Sequence, residues 1–104
     1  MAINEAYGAG AASGHIFSCT LFELLLTGED DAVDALFERQ NEEADAVRQG
    51  LVYADSRLIV AWMEGWDVAE RHMRTLFESI GDDITLGVLT QEEAMDRVVA
   101  ACER

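Results

Sequence analysis

From His15 onward the chain separates into apolar and polar blocks. Residues 15–26 (HIFSCTLFELLL) are dense in aromatic and aliphatic side chains and stop at Thr27 and Gly28. That density predicts a buried strand within the window, with a helix as the competing reading. Glu29, Asp30 and Asp31 then open a segment in which Val33, Leu36, Phe37, Ala44 and Val47 recur at near-helical spacing. Carboxylates in a first turn complement the positive end of a helix dipole, so a helix is expected to about Arg48 and Gln49, ended by Gly50. Two short apolar runs, 51–54 and 58–63, flank Asp55, Ser56 and Arg57, the pattern of a β-hairpin. Past Gly65, a stripe of Ala69, His72, Met73, Leu76, Phe77 and Ile80 has the period of an amphipathic helix, closed by Gly81, Asp82 and Asp83. Residues 84–89 read as a fourth strand. Thr90 and Glu93 form a capping-box pair ahead of a last helix carrying Met95, Val98, Val99 and Cys102.

The order βαββαβ followed by a helix predicts an α+β fold: a ferredoxin-like core with a four-stranded antiparallel sheet and an added C-terminal helix. An echo supports the topology, since residues 21–38 and 58–78 each give an apolar run, a glycine, acidic residues and a helix containing Leu-Phe-Glu. On the central strand Ile59, Ala61 and Met63 would face one side of the sheet and Leu58, Val60 and Trp62 the other. Both faces are apolar, so the one the crossover helices leave open needs the C-terminal helix, a partner chain or both as cover, and Leu58, Val60 and Trp62 are the expected interface if a homodimer forms. Residues 1–14, rich in alanine and glycine, read as a flexible arm, leaving 15–104 as a single domain.

Composition narrows the partners. The 104 residues carry 21 Asp and Glu against 7 basic residues, all arginine, for a formal charge of −14. That balance excludes partners held by their phosphates, so neither nucleic acid nor an anionic membrane is expected. No apolar run reaches the roughly 20 residues of a bilayer span and no leader pattern is present, which points to a cytoplasmic protein. Cys19 and Cys102 are too few for a disulfide framework or a four-ligand zinc site, and reduced thiols are expected.

Candidate chemistry is sparse. His15 and Cys19 have metal-ligand spacing only if their segment is helical, and no metal site is expected. His72 lies on an apolar stripe with no local carboxylate to orient it, and reads as a core or boundary histidine rather than a general base. Asp67 with Glu70, and Glu92 and Glu93 with Asp96, read as solvated faces. Gly8, Gly10 and Gly14 lack the strand-then-helix setting of a phosphate loop, and Ser13 and Ser18 lack a nucleophile-elbow pattern. No catalytic residue is assigned. Trp62 and Trp66 bracket the exit of the central strand, where a ligand pocket could open.

Residues 50–80 resemble the BLUF domain, a flavin-binding blue-light sensor with a ferredoxin-like core. The likeness is carried by Gly50, Leu51, Tyr53, Glu64, Gly65 and the Leu76-Phe77 pair, about 30 of the 104 residues. It extends loosely to Asn41 and to Ile16-Phe17-Ser18. The resemblance implies a flavin site with a first-strand tyrosine and a third-strand glutamine, but those places fall at Phe17 and Ala61, neither of which supplies the polar group. It therefore implies a degenerate relative without flavin: a non-enzymatic sensory or regulatory module with no cofactor, acting through protein contacts. Were FAD bound, Asn41, Phe17, Ala61 and Trp62 would contact it. The alternatives are a flavin photoreceptor with an unusual photocycle, and a small dimeric α+β barrel enzyme or ligand binder.

Overall fold

The computed structural model describes residues 2–51 and 55–103. It consists of four helices: α1 (Ile3–Thr27), α2 (Asp30–Leu51), α3 (Ser56–Thr85) and α4 (Gln91–Cys102). No strand occurs among the described residues, so the α+β, ferredoxin-like and BLUF-like descriptions do not hold for this chain. Residues 52–54 of the expected hairpin lie outside the described residues, and 58–63 are helical.

The physical reason lies in α1 and α3. Ala6, Gly10, Gly14 and Ser18 stand four residues apart on α1 and are all buried, a small-residue stripe that runs through the stretch expected to be a flexible arm. On α3, Leu58, Ala61, Trp62, Gly65, Met73, Phe77 and Ile80 are buried on one continuous helical face. The run 58–63 is thus the first turns of the same stripe that continues past Gly65. The glycines interlock: a Cβ added at Gly10 would overlap the Trp62 carbonyl, one at Gly14 would lie 2.5 Å from the Trp66 carbonyl oxygen, and one at Gly65 would overlap the Tyr7 carbonyl. Pairing of 10 with 62 and 14 with 66 makes α1 and α3 parallel, in backbone contact along a seam where only glycine fits.

The segment 15–26 has no clean polar face, which is why a strand reading suited it equally, although Ile16 and Leu25 are left exposed in the fold. Cys19, Phe22 and Leu26 join Met73, Phe77, Ile80, Leu89, Ala94 and Val98 in the main core, with the Phe22 and Phe77 rings stacked at 4.5 Å. Phe17 turns the other way, to Phe37 on α2 and Trp66 on α3, each at 5.3 Å between ring centroids. A second small cluster joins Ala6, Leu58 and Ala61, backed by Leu51.

Local signals set the ends. Gly28, expected as a strand exit, instead caps α1 in the left-handed region at φ 72°, its N–H and that of Glu29 closing on Leu25 and Leu24 carbonyls. The α2 helix forms where the spacing indicated, running through Gly50 to Leu51. Asp55 caps α3, accepting from the Arg57 N–H at 2.9 Å. Residues 84–89 are not a strand: Ile84 and Thr85 end α3, and a turn through Gly87 at φ 75° leads to buried Leu89. The Thr90–Glu93 capping box forms as the sequence indicated.

Helices α2 and α4 each run antiparallel to α1. Ser13 on α1 donates to Glu43 on α2 at 2.7 Å. Gln91 at the start of α4 donates to the Leu26 carbonyl, and at its far end Cys102 is disulfide-bonded to Cys19, with Cα atoms 5.9 Å apart. The expectation of two reduced thiols is therefore corrected. A separation of 83 residues in sequence says nothing against pairing once antiparallel packing lays the end of α4 beside the middle of α1. The α1 helix is also long and apolar enough, by length and composition, to cross a bilayer; in this fold its small-residue face is packed against α3.

Candidate functional site

Concave surfaces lie beside the α1–α3 seam. The first is a cleft of about 190 Å³ between α2 and α3. It is lined by Trp62, Met63 and Trp66 from α3 and by Asn41, Ala44 and Arg48 from α2, among others. It opens because α2 is a weakly packed helix whose single buried residue is Leu36. The Trp66 indole N–H is buried with no hydrogen-bond partner.

The second is a groove of about 530 Å³ between the C-terminal halves of α1 and α3, to which α2 and α4 contribute no residue. Leu21, Leu25 and Phe77 line it together with Glu70, Arg74 and Glu78. Leu25 is 54% exposed, and Arg74 lies 3.6 Å from Glu70. Apolar side chains and both signs of charge therefore share one open surface.

The expected site residues scatter over the fold. Asn41 and Trp62 do meet, in the α2–α3 cleft. Phe17 is buried behind Trp66, and Ala61 is buried in the small cluster beside Ala6. Among the expected interface residues, Leu58 and Trp62 are buried within the chain while Val60 is 53% exposed. His72 sits on the open surface in a shallow depression with Val68, Arg71 and Thr75. His15 and Cys19 are brought together, with Nε2 and Sγ 3.7 Å apart, and Cys102 completes a trio that sequence spacing alone could not assemble. The α1–α3 groove was missed as well, although Leu21 and Leu25 stand one helical turn apart.

The shifted carboxyl groups stand at helix ends. Hydrogen bonds from the Arg57 side chain and then its backbone hold the Asp55 carboxyl below its ordinary range, and the same pairing raises Arg57. The backbone N–H of Thr90, then its side chain, lowers Glu93. These shifted groups are exposed and line neither the α2–α3 cleft nor the α1–α3 groove. No cluster of three or more metal-ligating side chains occurs among the described residues. Comparison with known proteins returned no match to any family model, curated protein or solved structure.

Proposed function

We propose that this chain is a non-enzymatic helical interaction module that pairs with a second copy of itself through the groove between the C-terminal halves of α1 and α3. The observation that carries this is its surface. The chain exposes 6766 Å², whereas a compact monomer of its mass exposes about 5,800 Å². The excess, on the order of 1,000 Å², is what each partner buries in a stable interface of ordinary size, about 800 Å². The shape agrees. The chain measures 51 × 27 × 18 Å with a radius of gyration of 15.5 Å, against about 13 Å for a compact chain of this length.

The groove's mixed lining suits a two-fold pairing. In an isologous contact each residue meets its counterpart's neighbours, so Arg74 of one copy can meet the carboxylates beside the groove of the other while Leu21 and Leu25 of both copies close over Phe77. The test is sedimentation of the unaltered chain and of Leu25→Glu, which replaces an exposed side chain and leaves the core intact. The expected result is a dimer that becomes a folded monomer in the variant. A monomer in both, or a dimer untouched by Leu25→Glu, overturns the reading; so does partition of the chain into lipid vesicles in place of self-association.

A further inference from the structure

The bond between Cys19 and Cys102 is asymmetric in a way that bears on its chemistry. Cys19 is 6% exposed and packed in the main core with Met73 and Phe77. Cys102 is only partly buried, at the last residue of α4. His15 lies one turn before Cys19 on α1, and its Nε2 is 3.7 Å from the Cys19 Sγ and 3.4 Å from the Cys102 carbonyl oxygen. In the tautomer that carries its proton on Nε2, one N–H faces both atoms.

We propose that Cys19 and Cys102 form a thiol–disulfide exchange site in which an incoming dithiol attacks Cys102 and His15 receives the departing Cys19 thiolate. Exchange needs access to the sulfur attacked and stabilisation of the sulfur that leaves. Cys102 is the less buried of the two, at the edge of the core it packs against, and the His15 N–H beside the Cys19 sulfur offsets the cost of releasing a thiolate into an apolar site. In the first step the thiolate of the dithiol bonds to the Cys102 sulfur and the Cys19–Cys102 bond breaks. Cys19 departs with the electron pair, held by the His15 N–H until it takes a proton from solvent. In the second step the other thiol of the reductant, as its thiolate, attacks its own sulfur in the mixed disulfide, and Cys102 leaves and is protonated. The protein disulfide gains two electrons and two protons, and the dithiol becomes a cyclic disulfide. His15 is a positioning residue here. Ala94 and Val98, both fully buried, keep α4 docked, so exchange frees its last turn alone.

The test uses the full chain in two measurements. Glutathione, a monothiol that stalls at the first step, is added, and the adduct is mapped by mass spectrometry. Reduction by dithiothreitol is then timed in the unaltered chain, His15→Gln and His15→Ala, with helical circular dichroism as the check on folding. The glutathione adduct is expected on Cys102. Reduction should slow several-fold, on the order of tenfold in His15→Ala, and the ultraviolet thiolate absorbance of Cys19 in a Cys102→Ser background should fall when His15 is replaced. A simple structural crosslink would not move that absorbance. An adduct on Cys19, an even mixture, equal reduction rates, or resistance to dithiol without denaturant would each overturn the proposal. Should the His15 variants fail to fold, the adduct position in the unaltered chain decides it alone.

Discussion

At the scale of single residues, glycines do opposite things in one helix. Gly8 and Gly10 lie two positions apart on α1, yet a Cβ at Gly8 meets open space while one at Gly10 collides with the Trp62 backbone. Gly8→Ala should therefore stabilise the chain by about 1 kcal/mol through helix propensity. Gly10→Ala should destabilise it by about 3 kcal/mol, because backbone cannot swing aside as a flexible side chain can. Urea unfolding midpoints check the pair, and equal shifts of either sign would refute the close crossing. This contact was partly legible, for Ala6, Gly10, Gly14 and Ser18 are spaced at four residues. Glycine and alanine in a terminal stretch have two physical meanings, chain flexibility and close approach of backbones, and only the partner stripe on α3 separates them. At Phe17 and Ala61 the side chains were recognised as apolar, and both are buried. Their roles, a ring against Trp66 and a small residue beside Ala6, depend on helices meeting far apart in sequence.

At the scale of elements, signals local to one turn were readable and those spread over a whole helix were not. The Thr90–Glu93 box and the acidic start of α2 act within a few residues, and both are where the sequence put them. The strand reading of 58–63 failed because Leu58, Ala61, Trp62 and Gly65 were divided at Gly65 instead of being joined to Met73 and Phe77 as one stripe. The capping box makes a definite expectation: Thr90→Ala should cost about 1 kcal/mol. Its carboxylate adds a pH dependence. Because hydrogen bonding lowers Glu93 in the folded chain, its contribution is present in full above the ordinary glutamate range and is lost as pH falls through the lowered value. Thermal unfolding of Thr90→Ala and the unaltered chain between neutral and acid pH should show their difference shrinking on acidification. The disulfide acts on the same element from its other end. Closing a loop of 83 residues restricts the unfolded chain by about 4–5 kcal/mol in the chain-entropy model. Reduction should lower stability by that order while the circular dichroism at room temperature stays helical, since Ala94 and Val98 remain buried without it. Loss of α4 helicity on reduction alone would contradict this.

For the whole molecule, the formal charge of −14 outweighs the local ion pairs. Those found among the described residues, Arg48–Asp45, Arg57–Asp55 and Arg74–Glu70, each have at least one well-exposed partner and contribute little. Self-repulsion of the excess carboxylates opposes both folding and pairing until salt screens it, over about 8 Å at physiological ionic strength. The melting temperature should therefore rise as sodium chloride is raised from low to physiological concentration, and a fall would show that attractive pairs dominate. Shape favours the pairing that charge opposes at low salt. Among the described residues, a flat, elongated arrangement of four helices leaves a groove lined by α1 and α3 alone, which a second copy fills in the proposed pairing. The most direct measurement is sedimentation equilibrium of the unaltered chain at physiological salt. Pairing predicts a mass of twice 11.5 kDa, strengthening as salt increases, whereas a single-chain mass across the concentration range would contradict it.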